Sequence, residues 1–236
     1  MRSYIKLPPV KPMPDSKLRT RQFTDYMWIN YVNHIILRYY KEVDTNEIKL
    51  IIKTELSKQQ AKIEDKIKEH IYSWIKKDKR IGLWEFILTL ESKSDSFKGF
   101  YDMKFSHSQW KKYFVFEAKN LGKIKTTKSY TLINEYVYVN TKDRKDGGMY
   151  RFMTKKYATK INFGGMIGFV VGEVKGNIIK DLTDKIQSVY RGKINGKLID
   201  MKIELSSIEE NENTFTTFHL RNGEKFNLYH ILMYFN

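Results

Sequence analysis

Cysteine is absent from this 236-residue chain. That excludes disulfides and thiolate metal sites, and it fits a reducing compartment such as the cytoplasm. Proline is scarce, and its placement matters more than its number. All four, Pro8, Pro9, Pro12 and Pro14, lie near the start of the chain. Residues 1–22 therefore read as a basic, extended arm, and no proline interrupts any later helix or strand. No apolar run of about 18 residues occurs, so no membrane span is expected. The first residues, MRSYIKLPPVKPMPDSK, lack the continuous apolar stretch of a secretory leader. No H-E-x-x-H, G-x-x-x-x-G-K-[ST] or G-x-S-x-G is present, so the zinc-protease, P-loop and nucleophile-elbow chemistries have no sequence support. The five histidines (His34, His70, His107, His219 and His230) have no ligand-like spacing.

Acidic residues are in deficit. The chain has 43 Lys and Arg against 27 Asp and Glu, a net charge of +16. Such an excess favours a polyanionic partner, most often nucleic acid. The competing explanation is a composition biased toward Lys, Ile and Asn. Aromatics are plentiful, with 16 Tyr, 14 Phe and 4 Trp, and the length suffices for one full domain with a real core.

Periodicity divides the rest of the chain into an α/β (α+β) pattern. Trp28, Ile29, Val32, Ile35, Ile36 and Tyr39 fall on one face of a helix over 24–42. Asp44-Thr45-Asn46 offers an N-cap, after which apolar residues recur at helical spacing to about Lys77, as one long helix or two stacked ones. Residues 23–58 form an N-terminal helical region. From Leu83 the pattern becomes strands: LWEFILTLE (83–91), GFYDMKFS (99–106) and KYFVFEAKN (112–120). Residues 131–140 fit an extended piece or a short helix, 149–159 a helix, 166–171 a buried strand, and 178–190 an amphipathic helix. Residues 193–236 read as a hairpin followed by an apolar tail, 226–235, docked on the core as a helix.

The chemistry concentrates in GFYDMKFSHSQWKKYFVFEAKN, residues 99–120. On a strand, residues i and i+2 share a face, so Glu117 and Lys119 project together. If the two strands pair, Asp102 approaches Glu117. Two carboxylates and an ammonium then meet, enough to hold Mg²⁺ through oxygen ligands. Glu-x-Lys occurs five times, at Glu47, Glu64, Glu91, Glu117 and Glu173. Only Glu117 follows an unbroken apolar strand and an Asp-bearing strand. Its rival, Glu173-Val174-Lys175, is bracketed by Gly172 and Gly176, which favour a turn.

Helix, three strands, helix, strand, with Asp on the second strand and Glu-x-Lys on the third, resembles the PD-(D/E)XK nuclease superfamily over roughly residues 60–190. The resemblance implies a restriction-endonuclease-like core over 59–192, a central mixed sheet flanked by helices, with the N-terminal helices and the C-terminal hairpin and tail as additions. It implies that Asp102 and Glu117, with the carbonyl of Ala118, hold Mg²⁺, that Mn²⁺ can substitute, and that Lys119 orients the attacking water. Tyr101 stands where the motif has proline. Glu55 and Glu64 are candidates for an additional acid. Lys111, Lys112, Lys123, Lys125, Arg151 and Lys155 are candidates for nucleic-acid contact, with Trp110 and Lys128 nearby, and His107 lies between the two motif strands. The expected activity is metal-dependent hydrolysis of DNA by a cytoplasmic restriction or anti-phage effector. Two alternatives stay open: a ribonuclease, and a non-catalytic nucleic-acid-binding or assembly subunit. A homodimer or a partner protein could dock through 197–236.

Overall fold

The computed structural model describes residues 23–94, 96, 99–124, 132–138, 140–141, 144–145, 147–191, 196–202 and 213–236. The arm, Asp95, Lys125, Lys128 and most of the polar turn at 209–213 lie outside the described residues.

The helical region forms as its periodicity predicts. In α1 (Asp25–Glu42) the side chain of Thr24 accepts from the Met27 N–H, and the apolar stripe Trp28, Ile29, Val32, Ile35, Ile36 and Tyr39 is buried. Asp44 caps α2 (Thr45–Leu56) by accepting from the Asn46 N–H. The following stretch resolves as two helices, because α3 begins only at Ile63 (Ile63–Lys77). Glu55 makes the break: its carboxylate accepts from the Lys62 backbone N–H at 3.0 Å, tying the end of α2 to the start of α3. Ile63, Ile67, Ile71 and Ile75 repeat every fourth position and bury one side of α3. A short turn of helix, α4 (Lys79–Gly82), leads into the sheet.

The sheet has seven strands in the order β1-β2-β3-β6-β9-β8-β7. Strands β1 (Ile87–Lys93), β2 (Phe100–Ser106) and β3 (Tyr113–Leu121) form an antiparallel meander. After β3 come α5 (Ile133–Val137), the small β4 (Asn140–Thr141) and β5 (Arg144–Lys145) pair, and α6 (Gly148–Met153). The chain then returns through β6 (Phe163–Val170), parallel to β3. The amphipathic α7 (Ile178–Tyr190) precedes β7 (Lys197–Lys202), β8 (Thr214–Arg221) and β9 (Glu224–Tyr234). Every residue of β6 is buried, and Gly165 is required there: a Cβ would lie 2.3 Å from the Phe116 ring.

Two expectations need correction. The tail is no docked helix. It is β9, which runs parallel to β6 with Phe163 opposite Asn227 and Val170 opposite Tyr234. Phe226, Leu228, His230 and Leu232 alternate at strand period, and Ile231 and Met233 fill the other face. A strand buried on both faces reads as a continuous apolar run, which periodicity alone cannot separate from a helix. Tyr229–Phe235 is therefore inside the molecule and not an exposed docking element. The helix expected over 149–159 stops at Met153, because Lys155 and Ala158 take positive φ (56° and 53°) and the Tyr157 N–H turns back to the Arg151 carbonyl at 2.9 Å.

Between β8, β9 and α5 runs a buried polar chain whose proton positions follow from one fixed acceptor. The Gly196 carbonyl can only accept, so His219 donates from Nδ1 to it at 2.9 Å. In the neutral ring, His219 Nε2 then accepts from the Thr217 hydroxyl at 2.9 Å. Thr217 Oγ1 accepts in turn from His230 Nε2 at 2.9 Å, and His230 Nδ1 accepts from the Tyr136 hydroxyl at 2.9 Å. Burial pushes the His219 pKa down to about 4. Between about pH 6.5 and 4 the unfolded chain thus binds a proton there that the native chain does not, and stability falls as pH falls. The stability advantage of the wild type over His219→Gln, read from urea midpoints, is expected to shrink by on the order of 2 kcal/mol from pH 7 to pH 5. A constant difference would show that His219 does not titrate this way.

Candidate active site

The local register brings the acids together. The β2–β3 ladder ends at Met103 opposite Phe116, and beyond it Asp102 and Glu117 face each other across the diverging strands. Asp102 replaces the missing ladder bond: its Oδ2 accepts from the Ala118 N–H at 2.7 Å. Glu117 is fully buried. Its Oε1 takes the Lys119 ammonium at 3.0 Å and the Arg151 guanidinium at 2.7 Å. Its Oε2 is buried and has no hydrogen-bond partner. Burial pushes the Glu117 pKa up to about 7, with the Asp102 charge adding to the rise and Lys119 and Arg151 opposing it.

Helix α3 crosses above these strands and contributes two side chains one turn apart. Glu64 accepts from Lys119 at 3.0 Å, and burial raises its pKa as well. Lys119 also donates to the Ala118 carbonyl at 2.6 Å. Burial alone would pull Lys119 down, but Glu117, Glu64 and Asp102 together hold it above its usual value. Lys68, which sequence reasoning missed, is buried and donates to Asp102 Oδ1 and Glu91 Oε1, each at 2.9 Å, and pairs with Asp65 at 3.0 Å. Glu91 has φ +48° inside β1, on the rung between Leu90–Met103 and Ser92–Tyr101. That left-handed conformation is disfavoured for a residue with a Cβ, and the carboxylate it carries lands on Lys68.

The other wall is the segment after α6. Arg151 Nη1 donates to the Tyr157 hydroxyl at 2.9 Å as well as to Glu117. The Tyr157 hydroxyl donates to the Phe100 carbonyl at the start of β2. Arg221, at the end of β8, holds this segment from beneath. It is 2% exposed and donates to the carbonyls of Phe152, Tyr157, Ala158 and Ile161 at 2.8–3.3 Å.

Of the predicted residues, Asp102, Glu117, Ala118, Lys119, Glu64 and Arg151 meet. Others do not. Glu55 is buried, but its oxygens are taken by Lys58 and the Lys62 N–H, so it serves the α2–α3 junction. Lys112 pairs with Asp25 at 2.6 Å, and Trp110 Nε1 donates to the same carboxylate at 2.9 Å. Trp110 is buried, stacked on Trp28 and Phe163, so it offers no face for a base. Lys112 lies five residues before Glu117 along β3, about 17 Å away in extended chain, and exposed Lys111 sits at that same distant end. His107 is buried against Trp28 and Phe86 and accepts from the Gln109 N–H at 3.0 Å. Lys155 pairs with Glu224 at 3.4 Å, and exposed Lys123 lies just past β3, where its backbone N–H donates to the Glu173 carbonyl at 2.8 Å. Glu173-Val174-Lys175 lies outside the strands and forms no turn: Glu173 makes an isolated β-bridge with Lys123, and Gly176 after it takes φ +86°.

The site is thus a buried cluster of alternating charge, open at Glu64, Lys119 and Arg151, whose side chains are 23%, 15% and 18% exposed. Among the described residues, no three Asp, Glu or His side chains converge closely enough to hold a metal by themselves. The donor set for a hard divalent ion is two carboxylates and a main-chain carbonyl, which suits an ion that keeps several waters. The partnerless Glu117 Oε2 is the observation that fits such an ion, since a buried carboxylate oxygen without a donor is costly unless a cation meets it. No helix among the described residues is long and apolar enough to cross a membrane. Compared with protein-family profiles, with curated proteins and with solved structures, the chain matches none.

Proposed function

We propose that the chain is a metal-dependent nuclease with a restriction-endonuclease-like core, hydrolysing phosphodiester bonds of DNA. The observation that carries this reading is Glu117: a fully buried carboxylate with one oxygen on Lys119 and Arg151 and the other without a partner, facing Asp102 across two strands. The run α3, α4, β1, β2, β3, α5, the small β4–β5 pair, α6 and β6 supports the resemblance by its helix, three strands, helical segment and strand. The net charge of +16 supports a polyanionic substrate, and the biological role that goes with the resemblance is restriction or anti-phage defence in the cytoplasm.

Asp102, Glu117 Oε2 and the Ala118 carbonyl would hold Mg²⁺ or Mn²⁺, which supplies Lewis acidity and neutralises charge on the phosphate. The chain's own residues do the rest. The Ala118 N–H and Lys68 fix Asp102. Lys119 and Arg151, at the open side, meet the anionic phosphodiester and bring its non-bridging oxygens against the cluster. Lys119 keeps its proton, held there by three carboxylates, and so acts as a charge that steadies the attacking water and the developing negative charge.

The test is plasmid cleavage by the purified protein with Mg²⁺, Mn²⁺ or EDTA, beside Lys119→Ala and matched single-stranded DNA and RNA. Metal-dependent nicking lost in the variant is the expected result. Salt-sensitive binding without any product, in a folded protein, would sink the reading in favour of a binding subunit. Preferential cutting of the RNA would move the substrate to that polymer.

A further inference from the structure

The Lys119 ammonium has three N–H bonds, and three oxygens take them: the Ala118 carbonyl at 2.6 Å, Glu117 Oε1 at 3.0 Å and Glu64 Oε1 at 3.0 Å. A phosphate oxygen can pair with this ammonium only if one of the three lets go. The Ala118 carbonyl is main chain of the same strand. Glu117 is fully buried and shares its oxygen with Arg151. Glu64 differs from both. It stands at the open side of the site, its side chain 23% exposed. It also lies in the first turn of α3, whose N-cap residue Lys62 makes no side-chain cap bond. The positive end of a helix favours a carboxylate there whether or not it touches Lys119. Of the three acceptors, Glu64 is therefore the one that can turn away at little cost.

We propose that Glu64 is a tethered stand-in for the substrate phosphate. Its carboxylate holds Lys119 in the free protein, and a non-bridging oxygen of the phosphodiester replaces it on binding. This rests on the nuclease reading above and gives that site a gate. Exchanging one anion for another adds no new charge pairing at Lys119. The polyanion thus releases about one counterion fewer on binding than it would against an unoccupied lysine. Removing the Glu64 charge frees Lys119 for the substrate.

The experiment measures the affinity of the full chain for a fluorescein-labelled DNA duplex by anisotropy, across a range of salt and in EDTA, so that no cleavage intervenes. Glu64→Gln is expected to bind about fivefold more tightly than the wild type at low salt. Its affinity is expected to fall more steeply with salt, by about one unit in the log–log slope. Lys119→Ala combined with Glu64→Gln is expected to lie within about twofold of Lys119→Ala alone, because the carboxylate then has no ammonium to hold. Glu69→Gln removes one negative charge from another face of the same helix, where Glu69 pairs with Lys66 at 2.6 Å. It is expected to match the wild type within about twofold, and it decides the question where the Lys119 variants do not fold. Equal or lower affinity in Glu64→Gln, an equal gain in Glu69→Gln, or a gain that persists without Lys119 would overturn the proposal while leaving the nuclease reading standing. No salt-sensitive binding by the wild type or any variant, together with no cleavage, would remove both.

Discussion

Glu117→Gln is expected to lower DNA cleavage about a thousandfold or more while leaving the fold intact. The amide keeps the shape of the carboxylate, and its oxygen can still accept from Arg151 and Lys119. What it loses is the negative charge at Oε2, the atom without a partner in the cluster. Because burial already makes that charge costly, its removal is expected to change stability by no more than about 1 kcal/mol. Asp102→Asn is the less informative variant. Both Asp102 oxygens face donors, Lys68 at 2.9 Å and the Ala118 N–H at 2.7 Å, so the amide NH₂ must oppose one of them. Single-turnover cleavage at saturating DNA, with circular dichroism on the same samples, separates chemistry from folding. Full activity in a folded Glu117→Gln would remove the site.

Arg221→Met is expected to be the most destabilising single change outside the apolar core, by on the order of 4 kcal/mol. The guanidinium satisfies four main-chain carbonyls and lies 4.1 Å from the centre of the Phe226 ring. Methionine fills part of the volume but removes the side-chain donor from all four oxygens; only those of Phe152 and Ala158 keep a main-chain donor, the Lys155 N–H at 3.1 Å and the Ile161 N–H at 3.5 Å. Lysine retains the charge but not the planar fork, and is expected to recover less than half of the loss. Urea denaturation at a constant slope gives the measurement. A midpoint within experimental error of the wild type would mean that the segment after α6 finds other donors. Since that segment carries Tyr157 and follows Arg151, residual folded Arg221→Met is also expected to cleave more slowly.

What the sequence made legible was local. Asp102, Glu117 and Lys119 could be placed because strand alternation and one antiparallel register are short-range rules, and Glu64 because it borders the apolar stripe of α3. Arg151 was found as a basic residue near the site, yet its observed contact is Glu117 and Tyr157. Lys68 escaped because one lysine among 43 basic residues has no contrast. Its only signal was its place beside Ile67, four residues after Glu64. Arg221 escaped because a basic residue before Asn222-Gly223 reads as ordinary turn chemistry. Trp110 and Lys112 looked close to the site in sequence, but an extended strand separates them from Glu117. The place of β9 depends on pairing with distant β6, and nothing within the tail itself encodes a neighbour.

The β6–β9 pair also governs the order of events when the chain folds. The β1–β3 meander and the β7–β9 meander are each built from neighbours in sequence, whereas the parallel seam joining them must bring Phe163 to Asn227. Such a closure is slow compared with hairpin formation. Until it happens, β6 offers an uncharged, glycine-bearing edge, FGGMIGFV, to any other chain at hand. Refolding yield should therefore fall as protein concentration rises, even where the rate of successful folding does not. Arg221 arrives from the far side of that seam, so the wall bearing Tyr157 is fastened only when the two halves meet. The acids can assemble early, but their full setting comes with the last pairing of strands.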